Sequence, residues 1–220
     1  MAKPIQLEKV EHDKRATKDI PIFLDDKLYG NLVDIIDSLE WDYKSSFRAA
    51  FHKRDKALVA LLILTGVRIS EALRLRRKQF RIYKDYILLV NVETLKHGKL
   101  RKEIVLPKHG SLAPFTAIFE AWLNEIPEKE EEAYMFPVGT IKGFHLEQAL
   151  TRYRANRIIK KTTGKFPHWF RAVCENLYGK KVFNNNAYKL KDFMGLVNLA
   201  STDPYVQADW TEDKAKVFKL

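Results

Sequence analysis

Six side chains in this sequence are of types that handle phosphate esters: Arg68, Lys96, Lys99, His168, Arg171 and Tyr205. An arginine holds phosphate through two parallel hydrogen bonds. Arg68 follows the glycine of Leu64-Thr65-Gly66-Val67-Arg68-Ile69-Ser70-Glu71, at the start of a predicted helix whose backbone N–H groups also favour anions. An ion pair with Glu71, three residues on, is the structural alternative for it. His168 and Arg171 are three apart and share a helix face. The histidine can hydrogen-bond a phosphate oxygen or move a proton near neutral pH, or the two can be a surface pair without a role. Lys99 and its neighbour Lys96 lie in a glycine-bearing turn from which either can offer a proton to a leaving oxygen. Tyr205, after Asp203-Pro204, is a nucleophile only if cations lower a phenol pKa that is ordinarily near 10.

The charge pattern suits that chemistry. The 220 residues carry a formal charge of +11, which points to a polyanionic partner. Residues 41–110 hold 17 basic against 6 acidic side chains, and residues 151–220 hold 14 against 6. An acidic block lies between them, with Glu128 to Glu132 expected in solvent. Two basic segments folded onto one face would form a phosphate-binding groove. The single cysteine, Cys174, excludes a disulfide within the chain and is expected as a small core residue. No apolar run reaches the roughly 20 residues of a membrane span.

The elements that must position these residues follow from periodicity and stop signals. Residues 1–20 are polar and aperiodic and are expected to form an arm or linker. Helices are expected over Lys27–Leu39, Phe47–Leu64 (closed by Gly66) and Ile69–Leu75. Tyr86–Val92 and Glu103–Leu106 are predicted to pair as a hairpin. Ser111 is expected to cap a helix to about Ile126. A further helix is predicted over Gly143–Lys161, with Arg152, Arg154, Arg157 and Lys160 as a phosphate-binding face, and others over His168–Tyr178 and Ala187–Phe193. The fold class is α+β, mainly α, with a small antiparallel sheet or hairpin at one edge.

Taken in order, these segments resemble the tyrosine recombinases, the phage-type integrases. Thr65–Leu73 is similar to the family's first arginine motif. Gly98-Lys99, ending at Val105-Leu106-Pro107, is similar to its lysine hairpin, and the spacing favours Lys99 over Lys96. His168-Trp169-Phe170-Arg171 matches the HxxR motif. Met194–Asn198 and Thr202–Val206 match the final motif, except that Leu196 stands where the family usually has His. The resemblance covers roughly residues 20–210 as a catalytic domain, with 211–220 as a C-terminal tail. It implies a site-specific recombinase working through a 3′-phosphotyrosine, with Tyr205 as nucleophile, Arg68 and Arg171 on the phosphate, Lys99 as general acid and His168 positioning. It implies double-stranded DNA as partner, a homotetramer on DNA, no metal or other cofactor, and action at the nucleoid in the cytoplasm. An archaeal, viral or plasmid origin is expected. Topoisomerase-like nicking and resealing, and an inactive DNA-binding relative, are the rival expectations. Residues 1–40 are too few for the family's usual second helical domain, so the chain is expected to be either a catalytic fragment or a minimal recombinase.

Overall fold

The structure, a computed structural model, describes residues 46–95, 100–140 and 142–196. The expected arm, the helix over Lys27–Leu39, Lys96 and Lys99, Tyr205 and the C-terminal tail lie outside them.

The centre of the molecule is α1 (Ser46–Thr65). Its apolar run Ala57–Leu64 is wholly buried, so the second half of this helix is wrapped on all sides rather than laid on a surface. Helix α1 ends at Gly66, which is left-handed at φ +58° and donates its N–H to Leu62 O at 2.9 Å. A Cβ at Gly66 would stand 2.7 Å from Met194 Cε and 3.0 Å from Cys174 Sγ. Gly66→Ala therefore combines backbone strain with a clash and is expected to cost about 2 kcal/mol or more in denaturant unfolding. A cost below ~0.5 kcal/mol would mean that this junction yields. Helix α2 (Ile69–Ala72) follows and is shorter than expected.

Three antiparallel strands form a sheet in the order β1 (Phe80–Ile82), β2 (Tyr86–Glu93), β3 (Leu100–Pro107). The expected hairpin is its β2–β3 pair, with Leu89 opposite Ile104 and Ile87 opposite Leu106, all four buried. Helix α3 (Ala113–Leu123) packs Phe115, Phe119 and Trp122 into the core. Its cap residue is Leu112 with proline in the first turn, not Ser111; the fixed φ of Pro114 starts the helix without a side-chain cap. The acidic stretch Glu128–Glu132 is exposed, as expected, and pairs with Arg76, Arg77 and Lys78.

The helix expected over Gly143–Lys161 is two elements. Strand β5 (Gly143–Ala149) pairs antiparallel with β4 (Pro137–Thr140). Only then does α4 (Arg152–Thr163) begin, capped by the Thr151 side chain, which accepts from Arg154 N. Phe144 decides the first part: two residues apart, Phe144 and Leu146 face the core on a strand. The Phe144 ring sits edge-on to Phe51 at 5.2 Å and to Trp122 at 5.1 Å.

Helix α5 (Pro167–Leu177) begins at its proline and runs through the core, carrying the buried Cys174. One turn of π-helix, Tyr178–Val182, then leads into left-handed Asn184 and Asn185. Asn186 caps α6 (Ala187–Met194). A second, smaller apolar cluster joins α5 to α6 through Cys174, Leu177, Tyr178, Leu190 and Met194. Among the described residues, no helix is long and apolar enough to cross a membrane.

Candidate active site

The turn after α1 presents Arg68, and one buried carboxylate fixes it. Glu71 is 2 % exposed. One of its oxygens accepts the Arg68 backbone N–H at 2.8 Å, and the other the Arg68 guanidinium at 2.9 Å. The second oxygen also accepts Leu95 N at 3.4 Å, which ties the end of β2 to the same group. The Arg68–Glu71 pair weighed from sequence is thus real, yet it does not consume the arginine. About a third of the Arg68 side chain remains exposed, and it lines a cavity.

That cavity, about 500 Å³, is where distant segments meet. Arg68 lines it from the turn before α2 and Ser70 from α2, Arg152 and Asn156 from α4, and His168 and Arg171 from α5. Four of the residues singled out in the sequence, Arg68, Arg152, His168 and Arg171, from segments up to a hundred residues apart, therefore share one space. His168 is exposed in the first turn of α5.

Arg171 is 4 % exposed. Its Nε pairs with Glu175 at 3.0 Å, one turn along α5. Its Nη1 donates to Gly66 O at 2.7 Å and its Nη2 to Met194 O at 3.2 Å. A guanidinium carries five N–H groups. Three are engaged in these contacts, and the side chain also lines the cavity. Arg171 is thus a brace between the ends of α1 and α6 as well as a cation at the site.

Leu196, the departure from the family motif, has a local reason. Gly195 is left-handed at φ +63°. Gly195 N donates to Asp192 O at 3.1 Å and Leu196 N to Lys191 O at 2.9 Å. This is the doubly bonded helix ending that favours an apolar residue just after the glycine. Leu196 fills that place, packed with the second apolar cluster.

On α4, Arg154, Arg157 and Lys160 are exposed, as their spacing predicts, and Arg152 reaches the cavity rim. The Lys160 ammonium lies 5.0 Å over the Phe166 ring. Cys174 is fully buried and burial pushes its thiol up to about 12, so it has no nucleophilic part. Glu71 enters from the sequence only as a possible partner, and Ser70 and Asn156 do not enter as site residues. The signal for Glu71 was present: an acid three residues into a helix can accept from the residue that opens it. Nothing in local sequence marks the other two.

The family model described as the phage integrase family matches residues 29–212. The chain belongs to that family. It is 26% identical to the tyrosine recombinase XerC of Bacillus licheniformis over 197 residues, 86% of this chain and 57% of that protein. It is 27% identical to XerC of Staphylococcus epidermidis over 157 residues, 69% of this chain and 48% of that protein. This integrase-family chain thus spans about half the length of the curated relatives it matches. Among solved structures it resembles the XerH site-specific recombinase in a pre-cleavage complex with its difH substrate, at a TM-score of 0.60 and 21% identity over 91% of this chain and 55% of that one. It also resembles the XerA recombinase, at a TM-score of 0.54 and 15% identity over 92% of this chain and 64% of that one. These likenesses show the fold: a mainly helical integrase catalytic domain with small antiparallel sheets.

Proposed function

We propose that this member of the family is a site-specific DNA recombinase that cleaves and rejoins strands through Tyr205. The observation that carries this reading is the meeting of Arg68, His168 and Arg171 on one cavity. Arg68 and Arg171 bind the non-bridging oxygens of the scissile phosphate and offset the charge that grows in the transition state. The Tyr205 oxygen attacks phosphorus, His168 positions the phosphate and takes the phenol proton, and the bond to the 5′ oxygen breaks. Lys99 protonates that oxygen. A 3′-phosphotyrosine and a free 5′-hydroxyl result, and attack by another strand's 5′-hydroxyl reverses the step. The bond energy stays in the phosphotyrosine, so no nucleotide cofactor is required. Exchange between two duplexes calls for a tetramer assembled on DNA, acting at the nucleoid in the cytoplasm.

The test is covalent trapping on nicked suicide duplexes that carry candidate sites. Wild-type protein is expected to give a denaturation-resistant protein–DNA adduct. Tight binding without an adduct on a cognate site would favour an inactive DNA-binding relative. Relaxation of supercoils without exchange between two sites would favour topoisomerase-like resealing.

The α4 face supplies a separate check. If Arg154 and Arg157 contact phosphates, replacing either by Ala should weaken DNA binding similarly on all sequences. The slope of log affinity against log salt should fall by about 1 for each. An unchanged slope for both would remove α4 from the interface.

A further inference from the structure

The residue that opens a helix usually has a short polar side chain, whose oxygen accepts a backbone N–H that the first turn leaves unpaired. Phe166 opens α5, in extended backbone at φ −95° and ψ 156°, and makes no such cap. A position that favours Ser, Thr, Asn or Asp is thus given to an aromatic ring, and Phe166 is 50 % exposed. A single exposed apolar side chain needs no account by itself. This one lines the cavity that Arg68, His168 and Arg171 share.

The cavity has two kinds of wall. Arg68, Arg152, His168 and Arg171 supply a side that suits a phosphate. Phe166, Leu95 and Ile69 supply an apolar side for which a phosphate has no use. The volume, about 500 Å³, is in the range that encloses a whole small molecule rather than one anionic group. A phosphate with its sugar and base attached matches both walls.

Asn156, on α4, adds a third observation. It lines the same cavity, and its Oδ1 is buried with no hydrogen-bond partner among the described residues. A buried acceptor left unpaired is costly. Phosphodiester oxygens only accept, so the scissile phosphate cannot meet it. A base can, through an exocyclic amine, and an asparagine amide matches the edge of a base with an acceptor and a donor together. Phe166 is tied to the same helix by the Lys160 ammonium, 5.0 Å over its ring.

We propose that this side of the cavity is a nucleobase subsite: a nucleotide adjoining the scissile phosphate leaves the duplex stack, lays its base on the Phe166 ring and presents its edge to Asn156. Stacking on the ring offsets the cost of leaving the duplex. The inference rests on the reading of this cavity as the place that binds the scissile phosphate. It adds a determinant of sequence, since the phosphate is common to every site and the base is not.

The experiment is a binding cycle with the full chain on duplexes whose scissile phosphate has been located by covalent trapping. Each duplex is made intact and with an abasic nucleotide at one or other position flanking that phosphate. Phe166→Ser is the first variant, because serine restores a cap to α5 and should leave the melting temperature level or higher. It is expected to weaken binding to the intact duplex by roughly fivefold to a hundredfold, and to the duplex that lacks the captured base by less than about twofold. The dependence of its affinity on salt should not change, because no phosphate contact is lost. Phe166→Leu, apolar but without a ring, should behave alike and serves if the serine variant does not fold. Asn156→Ala should level the preference among bases at the captured position to within about threefold. Equal weakening on intact and abasic duplexes, or none on any, would overturn the proposal; so would a large fall in melting temperature for both Phe166 variants with no loss specific to the base, which would mean that the chain itself covers the ring. If wild-type protein forms no adduct, or one that survives Arg68→Ala, the cavity is not the phosphate site and the proposal falls with that reading.

Discussion

Tyr205→Phe is expected to abolish the covalent adduct, a loss of roughly ten-thousandfold or more, while DNA affinity stays within about twofold. The substitution removes one oxygen, and in the proposed reaction that oxygen is the atom bonded to phosphorus. A loss of that size is expected where no second tyrosine takes over the attack. Tyr178, directly after α5, is excluded by its surroundings. It is 8 % exposed, its hydroxyl donates to Leu64 O at 3.1 Å, and burial drives its pKa above the ordinary phenol value. A phenol made harder to ionise and held by a carbonyl at the end of α1 cannot attack a phosphate in the cavity. The exposed Tyr153, next to Arg152 on α4, is the competitor that the geometry leaves open. Peptide mapping of the trapped adduct separates them. An adduct that survives Tyr205→Phe and maps to Tyr153 would move the nucleophile to α4.

The part of the site legible in the sequence was the part set by local rules. Gly66 announces the end of α1 because only a residue free to take positive φ closes a helix that way, and Arg68 follows at a fixed distance. His168 and Arg171 share a face because they are three apart on one helix. Where tertiary contacts chose between periods, the sequence misled. Phe144 to Leu150 carries apolar residues that satisfy a helix or a strand, and the choice falls to the aromatic slot between Phe51 and Trp122. Arg101, on β3 and 4 % exposed, is the sharper case. Alternation assigns it to solvent, and a single left-handed residue, Asn91, ten positions earlier in the chain, reverses the assignment. Nothing near Arg101 in sequence encodes that reversal. Leu196 lies between the two. It breaks the family motif, yet an apolar residue after a helix-ending glycine is what local rules favour.

Arg171→Ala is expected to cost about 3–5 kcal/mol in unfolding free energy and to eliminate cleavage, so on its own it cannot separate folding from chemistry. The stability loss arises because Glu175, 4 % exposed, loses the guanidinium opposite it. The carbonyls of Gly66 and Met194 lose their donor as well, and the ends of α1 and α6 lose their brace. The double variant Arg171→Met, Glu175→Met removes the buried carboxylate together with the cation. Its stability should return to within about 1–2 kcal/mol of wild type, since a buried ion pair exchanged for apolar side chains of similar volume is often neutral. Cleavage should not return, because the cation that lines the cavity is gone. Arg68→Ala offers the contrast. Arg68 is one-third exposed, and Glu71 would still accept from two backbone N–H groups. Its stability loss should therefore be the smaller of the two, at a comparable loss of cleavage, roughly a hundredfold or more. Denaturant unfolding and adduct trapping on the same four proteins decide the matter. If the double variant regains cleavage along with stability, Arg171 is a brace alone, and the phosphate is held by Arg68 and His168.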